Sequence, residues 1–303
     1  MVNYGLRDNL QNGQDAILPA ISFDEANIGK ASAQFAAYRP PIFRGDGFER
    51  FSFSSANPLP SWAQGFDETH DQRFTESIHP ELRFKSLAYS QTRLAAKKFA
   101  TIFSDPILKT QNGSDDVVDG LSNNQLETMF GTDRFQQRLA LTLRLLHFGA
   151  PAVYMNQGNY DLHSNEESRL GGVLEELVHG LSALEAALKM LIHPDGGSYW
   201  DNTLIVLGSE FGRTARGQEF NSAKGSDHNN DLATRWLSMP MMGGIVDQSG
   251  IGGKQFGSVR PSDLQAEGKV YSYRTILKTL LDALGADHSP FFLADAPTTD
   301  FFG

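Results

Sequence analysis

The stretch Thr203–Asn230, TLIVLGSEFGRTARGQEFNSAKGSDHNN, decides how the rest of the chain is read. It opens with Leu204, Ile205, Val206 and Leu207, an unbroken apolar run short enough for a strand buried on both faces. Gly208, Ser209, Glu210, Phe211, Gly212 and Arg213 then put a hydroxyl, a carboxylate and a guanidinium at the carboxyl end of that strand, where open α/β sheets place their ligands. Asp227 and His228 follow a loop rich in Gly, Asn and Ser. Hard and borderline metals prefer carboxylate and imidazole, so Glu210 with a looped-back Asp227-His228 pair reads as half of a metal site.

The other half is sought one unit upstream. Pro151–Gly158 reads as a strand leaving a helix, and Asn159, Tyr160, Asp161, Leu162 and His163 follow it at once. Leu170, Val173, Leu174, Leu177, Val178, Leu181, Leu184, Leu188 and Leu191 form one apolar stripe along a long helix that ends at Pro194 and Gly196. That helix leads straight into the Leu204–Leu207 strand. Two strands so joined should make a right-handed βαβ unit with both tips on one edge of a parallel sheet, which would bring Asp161, His163 and Glu210 together. Each residue also has a plainer reading. Asp161 could make an Asx-turn that caps the next helix, Glu210 could pair with Arg213, and Asp227-His228 could be a surface turn. Arg213 is the catalytic candidate, because a guanidinium matches phosphate or sulfate oxygens bidentately. Ser209 fails the Gly-x-Ser-x-Gly spacing of a nucleophile elbow, and no phosphate-binding glycine motif follows a strand.

Outward from this centre, residues 81–303 read as one α/β core and residues 1–80 as an irregular, loop-rich segment packed on it. In the segment, Gly, Pro, Asn and Ser recur among scattered aromatics, with one strand expected over Ala16–Phe23. Helices are expected over Glu81–Phe103 and around Phe135, Leu139, Leu143 and Leu146, separated by a polar linker at Lys109–Asn124. Downstream, strands are expected at Trp236–Met242 and Phe256–Val259. A last helix carries Tyr273, Ile276, Leu277, Leu280, Leu281 and Leu284, capped by Ser272 and closed by Gly285. The Phe-rich tail from Pro290 to Phe302 is expected to pack back on the domain.

Composition narrows the chemistry. The chain has 303 residues, 40% of them hydrophobic, which is enough for one large globular domain. Its 26 basic and 36 acidic residues leave a net charge of -10, which argues against a nucleic-acid surface. With no cysteine, any metal must be held by Asp, Glu, His or neutral oxygen ligands. No run approaches the roughly 18 to 20 apolar residues of a membrane span, and the first twenty residues lack the order of a secretory signal. The N-terminus therefore belongs either to a cytoplasmic protein or to one whose true start precedes this sequence.

The strings YDLHSN, TLIVLGSEFGRT, GSDHN and GGKQFGSV, with a last helix ending LDALGAD, resemble a bacterial domain-of-unknown-function family of sulfatase-like proteins placed in the alkaline phosphatase and sulfatase superfamily. The resemblance covers roughly Leu121–Gly303. It implies an alkaline phosphatase-like fold, a parallel sheet flanked by helices. It also implies a divalent-metal site in which Asp161, His163, Glu210 and His228 occupy the ligand positions beside Asp227, and an exported or periplasmic location. Tyr160, Leu162, Ala215 and Asn229 depart from the family's usual Trp, Thr, Pro and Trp. No first strand with a metal-binding Asp and a nucleophile is recognised, so the fold is expected to be incomplete at its N-terminal end and turnover of aryl phosphates and sulfates to be weak.

These readings lead to a metal-dependent hydrolase of phosphate or sulfate esters, or its remnant, acting on a small anionic ester. Zinc, manganese or calcium is expected at substoichiometric occupancy. The alternative is a non-catalytic interaction or structural domain that retains the fold.

Overall fold

The computed structural model describes residues 1–6, 18–23, 38–42, 69, 73, 76, 79, 83, 99, 102–110, 113–162, 165–209, 212, 236–260, 262 and 265–302. In chain order its elements are α1 (Val2–Gly5), β1 (Ile21–Ser22), β2 (Val117–Val118), β3 (Leu121–Ser122), α2 (Asn123–Phe130), α3 (Arg134–His147), β4 (Val153–Tyr154) and α4 (Glu166–Met190). These are followed by β5 (Ile205–Val206), β6 (Met241–Met242), α5 (Gly244–Gln248), β7 (Ser258–Val259), β8 (Ala266–Glu267) and α6 (Tyr273–Ala283). The architecture is mixed α and β, with small two-stranded sheets and no closed barrel among the described residues.

The main core is helical. Leu126 and Phe130 from α2, Leu139 and Leu143 from α3, and Ala183, Leu184, Ala187 and Leu188 from α4 bury into one cluster that Tyr199 and Trp200 complete. Each such Leu or Phe stabilises by about 1.5–3 kcal/mol through apolar area removed from water. α3 and α4 come close because α4 carries Gly180 at the crossing, where an added Cβ would lie 2.6 Å from Gln136 Oε1 and overlap Leu139. Gln136 uses that proximity, donating from Nε2 to the Glu176 carbonyl at 2.8 Å.

A second cluster joins the front of the chain to the same helix. Leu18, Ile21 and Phe23 pack against Phe99, Ile102, Leu145 and Ala150. Here β1 pairs in parallel with β4, in the register Ile21↔Val153 and Ser22↔Tyr154, and Ile42 adds a parallel bridge to Ser22. Arg144 is buried beside this cluster and donates to the Ile102 carbonyl and, at 2.5 Å, to the Asp105 carbonyl. Burial pulls its pKa down to about 10, with Asp105 opposing the shift.

Several expectations hold. The strand expected over Ala16–Phe23 contains β1, the Pro151–Gly158 strand contains β4, and α3 falls where its leucines recur. α6 starts at Ser272, whose Oγ accepts from Thr275 N at 3.0 Å, and Gly285 follows its end with φ +62°. The tail does pack back, since the Tyr271 hydroxyl donates to Asp300 at 2.7 Å and Lys278 Nζ to the Asp295 carbonyl at 2.9 Å, while Phe301 buries against Val246 and Ile251.

Others need correction. Part of the polar linker at Lys109–Asn124 is a hairpin: Asp119 and Gly120 take φ of +51° and +85°, the positive pair of a two-residue turn between β2 and β3. Ser122 and Gln125 then form a reciprocal capping box that starts α2, the Oγ accepting at 3.2 Å and Gln125 Oε1 accepting from Ser122 N at 2.8 Å. Within residues 1–80, expected to be irregular, Thr69, Arg73 and Glu76 are helical. The Leu204–Leu207 strand does not join β4. Among the described residues β5 pairs antiparallel with β6 and is only half-buried, so the single parallel edge inferred from a βαβ unit is not what these strands form. The stripe on α4 is core only in its second half, because Leu174 and Val178 are 43% and 61% exposed.

Most of the Glu81–Phe103 helix lies outside the described residues; positions 83, 99 and 102–104 are helical. No described helix is long and apolar enough to cross a membrane.

Candidate functional site

Of the six residues singled out from the sequence, the structure describes Asp161. His163, Glu210, Arg213, Asp227 and His228 lie outside the described residues. Among the described residues no group of three or more His, Asp or Glu side chains could hold a metal.

Asp161 stands just past the carboxyl end of β4, and the local chain explains how it is presented. Asn159 takes φ +74°, a left-handed conformation that Asn tolerates better than most residues and that turns the chain out of the strand. Leu162 N then donates to the Tyr160 carbonyl at 2.8 Å, which closes a three-residue turn with Asp161 at its centre. Leu162 is buried, whereas Asp161 is exposed. The turn is thus pinned by an apolar anchor on one side, while Asp161 at its centre stays at the surface. α4 begins beyond it, with Asn165 as N-cap in a left-handed conformation (φ +53°) and no side-chain capping bond.

The other side of the turn is pinned by polar contacts that the sequence reading missed. Tyr160 Oη donates to Gln157 Oε1 at 2.7 Å. Gln157 Nε2 donates at 3.2 Å to the Glu176 carboxylate and at 3.2 Å to the Val173 carbonyl, both on α4. Burial, and then the Glu176 charge, push the Tyr160 phenol pKa up, so the hydroxyl remains a neutral donor. Gln157 and Glu176 are nineteen positions apart with no motif linking them, so only the folded chain reveals the pairing.

The second strand tip is partly described. Leu207 N donates to the Pro240 carbonyl at 2.9 Å, extending the β5–β6 pairing by one bond, and Gly208 and Ser209 beyond it are exposed. Gly208 passes under Tyr273, the first residue of α6; an added Cβ would lie 3.2 Å from its hydroxyl. β6 is held to the Trp200–Leu204 backbone by Gly243 and Gly244, where side chains would meet main-chain atoms, and Gly244 N donates to the Trp200 carbonyl at 2.9 Å. Met155, just past β4, and Ile205 of β5 pack on the same core cluster.

Comparison with known proteins corrects the fold-family expectation. No curated protein and no solved structure matches the chain. The family model that does match covers residues 92–296, is described as a protein of unknown function (DUF1501), and carries no alkaline phosphatase or sulfatase assignment. The placement in that superfamily, drawn from the SEFGRT and Asp-His strings, is therefore withdrawn: short motifs of charged residues at strand ends recur on unrelated folds and do not carry a fold family with them. Because the match spans more than half of the sequence, the chain belongs to the DUF1501 family.

Proposed function

We propose that this protein binds a divalent metal and hydrolyses small anionic esters, with Asp161, His163, Glu210, Asp227 and His228 as the ligand donors and Arg213 as the group that orients the anionic substrate. The observation that carries the reading is the Asp161 turn: an exposed carboxylate just past β4, in a backbone pinned on both sides, is how a fold presents a first metal ligand. Three carboxylates and two imidazoles without a thiolate suit a hard or borderline dication such as zinc, manganese or calcium. When bound, such a metal polarises an ester oxygen and stabilises the charge that develops on it. The residues supply the rest: the carboxylates set the charge of the site, and the Arg213 guanidinium offers paired donors to an anionic ester. Met155 beside β4 and Ile205 of β5 pack on one core cluster, which supports the two strand tips lying near each other although their strands belong to separate sheets.

The test is calorimetric titration of apo-protein with zinc, manganese and calcium, set beside Asp161→Ala and His228→Ala and followed by assays on aryl phosphates and aryl sulfates. Binding lost in both variants supports the site. Metal-dependent turnover lost with His228→Ala marks a complete enzyme, and binding without turnover marks a remnant. Absence of binding in the wild type refutes the reading. The exposed Leu174 and Val178 on α4 favour a second reading, a non-catalytic interaction domain, which a wild type without metal affinity would leave standing.

A further inference from the structure

We propose that the groove between α2 and the C-terminal end of α4 docks a basic, apolar-tipped segment of a partner protein. The groove lies at the opposite end of α4 from the Asp161 turn, and the proposal is independent of the metal reading. Its walls are Asn124, Gln125, Thr128 and Met129 of α2 and Met190 of α4, around a volume of about 330 Å³, at the low end for a small-molecule pocket. The polar groups of those walls are largely engaged within α2. Gln125 Oε1 accepts from Ser122 N at 2.8 Å, and Thr128 Oγ1 donates to the Asn124 carbonyl at 2.9 Å, so few convergent donors or acceptors remain for a polar metabolite. Met190 is 38% exposed and Ile192, two residues on, is 65% exposed, so apolar surface runs from the groove onto the connection that follows α4.

Charge decides the occupant. Asp115 accepts from Asn124 N at 3.0 Å and Asp119 accepts from Ile192 N at 2.9 Å, so one exposed carboxylate stands beside the α2 wall and another beside Ile192. Both donors are main-chain amides, which carry no charge to cancel that of the carboxylate. The Asn124 main chain, then the Ser122 side chain, hold the Asp115 carboxyl below its usual range, so it is ionised at neutral pH. Two cations nearby are engaged elsewhere: Lys189 pairs with Glu185 at 2.6 Å and lies over the Trp200 ring, and Lys109 Nζ donates to the Phe103 carbonyl at 3.4 Å. An apolar surface rimmed by carboxylates repels nucleic acid and anionic lipid, and it matches a segment that carries Lys or Arg on either side of an apolar side chain. A second copy of this chain fits less well, because each copy has a net charge of -10 and its Arg260 and Lys269 already pair with Glu267 and Asp300.

The experiment takes the full chain with its seven methionines ¹³C-methyl labelled, adds a capped Lys-Lys-Leu-Lys-Lys peptide at low salt, and follows the methyl resonances by NMR. Saturable shifts are expected at Met129 and Met190 and not at Met239, Met241 or Met242. Asp115→Asn and Asp119→Asn keep an acceptor oxygen for the Asn124 and Ile192 amides, and each should weaken binding roughly two- to fivefold, the worth of one exposed ion pair. Replacing the peptide's Leu by Ala should weaken it by roughly tenfold, through apolar area no longer removed from water. Asp282→Asn, which removes an exposed carboxylate at the end of α6, is the control for diffuse attraction to an acidic protein and should leave the affinity unchanged. An equal loss with Asp282→Asn, equal binding of a Glu-Glu-Leu-Glu-Glu peptide, or no shift at Met129 and Met190 overturns the proposal. So does a dimer in sedimentation equilibrium that Ile192→Ser dissolves, which would make the occupant a second copy.

Discussion

Gly243→Ala should be among the most damaging single-methyl additions in this protein. Gly243 has φ +127° and ψ 164°, a region that is essentially glycine-only, and forcing alanine there costs on the order of 1–3 kcal/mol. The added Cβ would also overlap the Thr203 carbonyl oxygen and lie 2.9 Å from its carbon and 3.3 Å from Leu204 Cα. All three are backbone atoms, so no rotamer change relieves the overlap. Relief requires opening the β5–β6 pair, where Ile205 faces Met242 and Leu207 N donates to the Pro240 carbonyl at 2.9 Å. Overpacking of this kind costs roughly another 1–3 kcal/mol, for a total of about 2–6 kcal/mol against the 5–15 kcal/mol that a domain typically has. The control is Gly250→Ala, also at positive φ (+66°) but with nothing within 4 Å of the new methyl, which should cost only the conformational part, about 1–2 kcal/mol. Urea unfolding followed by circular dichroism and by tryptophan fluorescence, to which the buried Trp200 beside Gly244 contributes, would measure both. A Gly243→Ala midpoint no lower than that of Gly250→Ala would refute the close-approach argument.

Two further outcomes follow from the packing and charges described. Leu188→Ala, which empties a fully buried position in the main cluster, should destabilise by roughly 2–5 kcal/mol in the same assay. Asp300 accepts from Lys269, Thr298 and Tyr271, which holds its pKa down at about 2. Because the folded value lies below the unfolded value of about 4, the stability it contributes is present above pH 4 and lost as pH falls toward 2. Thermal melts of wild type and Asp300→Asn should therefore differ near neutrality and converge across that window, and a constant gap down to pH 2 would contradict it.

What the sequence determined by itself was local. α3 was legible because Phe135, Leu139 and Leu143 recur at helical spacing, and α6 because Ser272 and Gly285 mark its ends with groups that act on their own neighbours. The position of Asp161 beyond a strand was legible for the same reason, since Pro151–Gly158 carries its own turn and strand signals. The Asp119-Gly120 turn and the Ser122–Gln125 capping box are equally local signals, lying inside the polar stretch Lys109–Asn124. Tertiary structure decided the rest. The run Leu204–Leu207 specifies a strand but not its neighbour, because pairing direction depends on which other segment offers a free edge. Here Met241–Met242 did so from the opposite direction, and β4 took Ile21–Ser22 instead. The leucine stripe on α4 specifies an apolar face but not what covers it, which is why Leu188 is core and Val178 is not. The hydrogen bonds that join Glu176 through Gln157 to Tyr160 and the close approach of Gly243 to Thr203 link residues distant in the chain by short-range forces, and such forces act only once the intervening segments have folded.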